Sequence, residues 1–119
     1  MARRLGPKEL IVREVTSWPG VTQELGRFGA TRLMLGHREL GHLHGDWMLD
    51  LPLTRDLRDR LMAEGRVEPH RAAPASGWAS RAIAGPQDIP AAIALLRTQF
   101  ERAARAARAR ERGRARSAA

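Results

Sequence analysis

Two histidines stand two residues apart in Gly41-His42-Leu43-His44-Gly45-Asp46-Trp47, and on a β-strand that spacing projects both imidazoles from one face. Such a pair can hold zinc, iron or copper, with His70 swinging in as a third ligand. It can also serve a small ligand or proton transfer, or it can hydrogen-bond at a sheet edge and stack on Trp47 through apolar ring faces. A hairpin turning at Gly45-Asp46 sets His44 opposite Trp47, His42 opposite Leu49 and Leu40 opposite Leu51. Asp50 then points to the other face, opposite Gly41. The imidazoles are left on an otherwise apolar face with no carboxylate committed to it, so no metal and no cofactor is assigned.

Glu68-Pro69-His70 is a second chemical element, because Pro69 forces Glu68 into an extended conformation and presents both flanking side chains at a cleft edge. His70 can act as a general base with Asp50 or Glu68 orienting its ring. Nothing nucleophilic completes a catalytic set: Ser76 and Ser80 lack a nucleophile elbow, and no glycine loop cradles phosphate. Trp47 and Trp78 each begin an expected strand, where an indole either borders a cavity or seals the core, and core sealing fits better. The candidate ligand-binding set is therefore His42, His44, Trp47, Asp50, His70 and Trp78, with no residue assigned as catalytic.

The elements that must position these residues are marked by turns and periodicity. Pro7 opens a helix to about Ser17, with Leu10, Ile11, Val15 and Trp18 in one stripe. Residues 21–29 carry one further helical turn, limited by Gly26 and Gly29. From Ala30 the period shortens toward two, and strands are expected at 31–35, 39–44 and 47–51. Thr54 caps a helix that Gly65 ends, and a Pro- and Ala-rich connection from Glu68 to Gly77 leads to a fourth strand at 78–83. Asp88 caps a last helix, in which Ile89, Ile93, Leu96 and Phe100 form one apolar stripe. The order predicts an α+β two-layer sandwich, a small antiparallel or mixed sheet with helices packed on it.

At 119 residues the chain has room for one core and a tail. The division falls at 5–101 for the compact domain and 102–119 for an Arg/Ala-rich helical extension and disordered tail. Residues 102–116 hold seven arginines against one glutamate, or +6 of the formal +8. Ala and Arg carry the helix to about Arg112 before Gly113 breaks it, and Arg102, Arg105, Arg108 and Arg112 make one positive ridge. That ridge suits phosphates of nucleic acid or another polyanion; without an aromatic residue for base stacking, sequence-indifferent binding is expected. With no cysteine, disulfides and thiolate chemistry are excluded. Apolar runs break too soon to span a bilayer, and no signal-peptide core follows the basic first residues, which makes the cytoplasm the expected location.

Taken together, Glu39 to Gly45, Asp50-Leu51-Pro52-Leu53, Arg58-Asp59 with Leu61, Gly65, Glu68-Pro69-His70, Gly77-Trp78 with Ser80, Ile83 with Gly85-Pro86, and Ala91 to Leu96 resemble the small luciferase-domain family, which includes stand-alone bacterial proteins. The resemblance covers about residues 10–100 and implies a compact α+β domain. It carries no catalytic assignment onto His42, His44 or His70, and does not imply light emission. The residues favour a small binding or interaction domain, for a small ligand or, weakly, for nucleic acid. The alternative is a small oxidative or acid-base enzyme using a His-lined pocket, which a shared enclosure of His42, His44 and His70 would favour.

Overall fold

The computed structural model describes residues 4–118; the basic start at residues 1–3 and the last residue of the tail lie outside them. Helix α1 (Pro7–Val15) has its proline in the first turn, where no donor is missed. Its capping partner comes from far along the chain: Asp46 Oδ1 accepts from the Lys8 N–H at 2.9 Å. Strands β1 (Val21–Leu25), β2 (Thr31–Leu35), β3 (Arg38–His44) and β4 (Met48–Pro52) follow, then helix α2 (Arg55–Ala63), the short β5 (Glu68–Pro69), β6 (Trp78–Ala82) and helix α3 (Asp88–Ala118). Thr54 caps α2 as expected, its hydroxyl accepting from Leu57 N–H at 3.3 Å.

The six strands form one antiparallel sheet in the order β1-β2-β3-β4-β6-β5. The fold is the expected α+β sandwich. One sheet face gives Leu33, Leu43, Leu49, Leu51 and Ala79 to a single apolar cluster, joined by Ile11 and Val15 of α1, Leu57 and Leu61 of α2, and Leu95 and Leu96 of α3. Gly41 lies on this face because a Cβ there would stand 2.9 Å from the Asp50 carbonyl and 3.1 Å from Leu96. The opposite face carries the polar side chains.

Several elements depart from the sequence reading. Residues 21–25 are an edge strand, not a helical turn; four of its five residues are exposed, so its period of two leaves no apolar trace. A single 3₁₀ turn, Arg27–Gly29, then leads into β2. β5 was not expected either, being two exposed residues on the sheet edge, where the missing N–H of Pro69 breaks no ladder. α3 runs through Gly113 to Ala118 without a break, since the glycine penalty of about 1 kcal/mol is spread among strong helix formers.

The β3–β4 turn has the largest consequence. It contains three residues, Gly45, Asp46 and Trp47, with Gly45 in the left-handed region at φ 52°, and it pairs His44 with Met48, Leu43 with Leu49 and His42 with Asp50. The expected two-residue turn put His44 opposite Trp47 and His42 opposite Leu49. A one-residue change of register exchanges the faces of a strand, and here it brings Asp50 onto the face of the two histidines.

Candidate active site

A second irregularity prepares that face. Between β2 and β3 the register passes from Leu33↔Gly41 to Met34↔Glu39, leaving Leu40 as the extra residue of a β-bulge. Glu39 and His42, three apart, therefore share the polar face while Leu40 turns into the core. The carbonyls of Leu40 and Pro52 both accept from the buried Gln99 amide of α3, at 3.3 and 3.0 Å. The helix thus fixes the shape of the strand beneath the site.

The register lines up one residue from every strand: Glu24, Arg32, His42, Asp50, Ser80 and Glu68. Directly opposed residues project to the same side, so this is a polar row across the whole sheet. Its centre is Asp50. Ser80 Oγ donates to Asp50 Oδ1 at 2.6 Å and His44 Nε2 lies 2.9 Å from Oδ2. The Nε2 atoms of His42 and His70 each lie 3.3 Å from the same Oδ2. Three imidazoles thus converge on one oxygen of a carboxylate that is itself buried.

The electrostatics follow from these contacts. Burial alone pushes the Asp50 carboxyl up, but His42, Ser80, His44 and the charge of His70 outweigh it and hold the group well below the usual carboxylate range. His42 is raised to about 9 by Asp50 first and Glu39 second, against the effect of burial. Its Nδ1 lies 2.9 Å from Glu39 Oε2, so a carboxylate faces each ring nitrogen. Burial likewise pushes Glu39 up, and His42 and Arg32 bring it below its ordinary value; Arg32 Nε donates to Glu39 Oε1 at 2.8 Å. His70 Nδ1 accepts from Ala72 N–H at 3.2 Å, which assigns the ring hydrogen of the neutral form to Nε2, facing Asp50.

These groups line one side of a cleft of about 720 Å³. Trp78 stands between the rings, 5.4 Å from His42 and 6.1 Å from His70 between centroids. Across the cleft, Leu25 and Phe28 are 83% and 98% exposed, so two large apolar side chains form its rim. Phe28 has φ 56°, a left-handed conformation that costs a non-glycine residue about 1–3 kcal/mol. A smaller depression of about 180 Å³ adjoins it, reaching His44, Asp50 and His70 from the side of Trp47.

Five of the six sequence candidates, His42, His44, Asp50, His70 and Trp78, line the main cleft. Trp47 lines the smaller depression instead and lies 6.1 Å from the His44 ring. Neither Trp47 nor Trp78 seals the core as expected: Trp47 is exposed and Trp78 half-buried, because both belong to the polar side of the sheet. Trp18 does join the core. Glu39, Arg32, Phe28 and the role of Ser80 were missed; the first depends on the bulge, for which the sequence has no marker. Arg102, Arg105, Arg108 and Arg112 lie on α3 and line no part of this cleft.

The profile of the Luciferase domain family matches residues 37–99, and the chain belongs to that family. The match holds β3, β4, α2, β5 and β6 with the start of α3, hence Asp50 and all three imidazoles meeting at its Oδ2. It is shorter than the 10–100 expected from the motifs and leaves out the cleft rim and the arginine ridge. No curated protein and no solved structure gave a significant match. No helix among the described residues is long and apolar enough to cross a membrane.

Proposed function

We propose that this domain is a small enzyme that holds a small molecule in the cleft and acts on it at the groups gathered around Asp50. The observation that carries this reading is the convergence of His42, His44 and His70 on Asp50 Oδ2 at 2.9–3.3 Å. Enclosure of the three rings together turns the balance from a bare binding domain toward the enzyme. Imidazole is the side chain suited to proton transfer near neutrality, and His70 offers its Nε2–H from a loop at the cleft wall. Trp78, Phe28 and Leu25 supply apolar area, so the substrate expected is a small molecule with an apolar or aromatic body.

The test is NMR, ligand-observed to find binders and protein-observed at the imidazoles, with a library of small aromatic and aliphatic acids, amides and esters, repeated on Phe28→Ser and Trp78→Leu. Compounds should bind and shift the imidazole resonances of His42, His44 and His70, with affinity falling about tenfold in each variant, or about 1.4 kcal/mol. Hits that leave all three imidazoles unmoved would sink the reading.

A second reading concerns α3. Arg105, Arg108 and Arg112 are exposed and make no ion pair among the described residues, which supports a role in contacting the phosphates of nucleic acid. Binding of a random duplex should fall steeply with added salt. Replacing the three arginines by glutamine should weaken all duplexes alike; unchanged binding would remove the arm from consideration.

A further inference from the structure

We propose that His42, His44 and Asp50 form a site for a divalent first-row metal ion of the zinc or iron type, with open coordination positions facing the cleft. The proposal rests on the reading of the cleft as an active site and names the cofactor of that site. The sequence assigned no metal because no carboxylate stood on the histidine face. Asp50 removes that premise.

One ligand atom each from His42, His44 and Asp50 lies within 4.8 Å of the others. Metal–nitrogen and metal–oxygen bonds of about 2.1 Å imply ligand–ligand edges of about 3.0 Å in octahedral and about 3.4 Å in tetrahedral geometry. The 2.9 Å from His44 Nε2 to Asp50 Oδ2 and the 3.3 Å from His42 Nε2 to the same oxygen are edges of that length. The three side chains sit on adjacent strands of one hairpin, a rigid base for a site that needs fixed angles. Two imidazoles and one carboxylate with free positions is a donor set that suits iron or catalytic zinc.

Hydrogen bonding alone satisfies the cluster poorly. A carboxylate oxygen has about two lone-pair sites, and three ring nitrogens compete for Asp50 Oδ2 while Ser80 occupies Oδ1. A cation among the rings relieves that competition. Glu39 supplies what metal-ligating imidazoles ordinarily have, a carboxylate on the nitrogen turned away from the ion; it lies 2.9 Å from His42 Nδ1 and is itself held by Arg32. His70 has a different place. Because its Nδ1 accepts from Ala72 N–H, its Nε2 carries hydrogen and serves as a donor to Asp50 or to a water or anion on the ion, not as a ligand.

Untagged full-length chain, stripped of metal, is titrated with cobalt(II) and with zinc(II), following cobalt d–d absorption and calorimetric stoichiometry, with near-UV circular dichroism as a check of folding. One ion per chain is expected. His42→Ala and His44→Ala should each weaken binding by about a hundredfold or more, and Glu39→Gln by about ten- to a hundredfold. His70→Gln should keep the stoichiometry of one. Absence of the cobalt spectrum in folded wild-type chain would overturn the site, as would unchanged affinity in folded His44→Ala or Asp50→Asn. Repeating the small-molecule screen on metal-free and metal-loaded chain separates the two claims. Compounds entering the cleft of a chain that takes up no ion overturn the metal site alone. Uptake of one ion through these three residues with no compound bound supports the site and overturns the small-molecule reading alone.

Discussion

Glu39 and His42 are three residues apart on one strand, yet their side chains share a face and meet at 2.9 Å. Regular strand alternation would put them on opposite sides of the sheet. The bulge at Leu40 makes the contact, and the Gln99 amide from α3 fastens the bulge. The orientation of the His42 ring is therefore set by a residue in the opposite layer of the sandwich.

Gln99→Ala should accordingly cost about 1–3 kcal/mol, the usual penalty for leaving buried carbonyls without a donor. Urea unfolding measures it. A loss below about 0.5 kcal/mol, within the range of ordinary surface substitutions, would mean that the bulge does not depend on α3.

Gly77 bears on the other side of the site, where it precedes Trp78. A Cβ at this position would collide with the Leu53 carbonyl, and Leu53 N–H already donates to the Gly77 carbonyl at 3.2 Å. Gly77→Ala should lower the thermal midpoint and displace β6 against β4, visible as shifted amide resonances at Leu51, Ala79 and Ser80. A variant with wild-type midpoint and spectrum would contradict this packing.

The helices and central strands were legible in the sequence because each buries one regular stripe: Ile11 and Val15 in α1, Leu57 and Leu61 in α2, Leu49 and Leu51 in β4. The site was legible in its residue types but not in its arrangement. His42, His44, His70 and Asp50 all stood out, yet whether Asp50 joins them depends on one residue in the turn at Gly45, and either turn length is compatible with Gly-Asp-Trp. Glu39 was hidden by the bulge, and the edge strand β1 by its exposure, since only Val21 of its five residues is buried.

Asp88 offers a pH prediction away from the cleft. The Arg81 guanidinium at 2.6 Å, then the Ala84 and Gly85 N–H groups, hold its carboxyl down to about 2. A carboxyl lowered on folding adds stability that is complete above its unfolded value of 3.8 and is lost as pH falls toward about 2. Asp88→Asn should therefore be less stable than wild type at pH 6, with the difference shrinking as pH falls from about 4 to about 2. A difference independent of pH over that window would remove the charge from the explanation.

A boundary between folded body and arm is expected within α3, where burial ends. Ala103 is 3% exposed and belongs to the core, while Arg105 and Arg108 are exposed. A chain ending at Ala107 should unfold cooperatively with nearly the midpoint of the full chain, whereas one ending at Phe100 should lose stability with Ala103. Equal midpoints for both truncations would place the end of the folded body earlier.

The most direct test of the convergence on Asp50 is the nitrogen spectrum of the four imidazoles in wild-type and Asp50→Asn chains, both metal-free and near neutral pH. His42, His44 and His70 should all shift on that one substitution, while His37, exposed in the β2–β3 turn, should not. If His70 or His42 kept its wild-type resonances, the three rings would not share the carboxylate and the site described here would not exist.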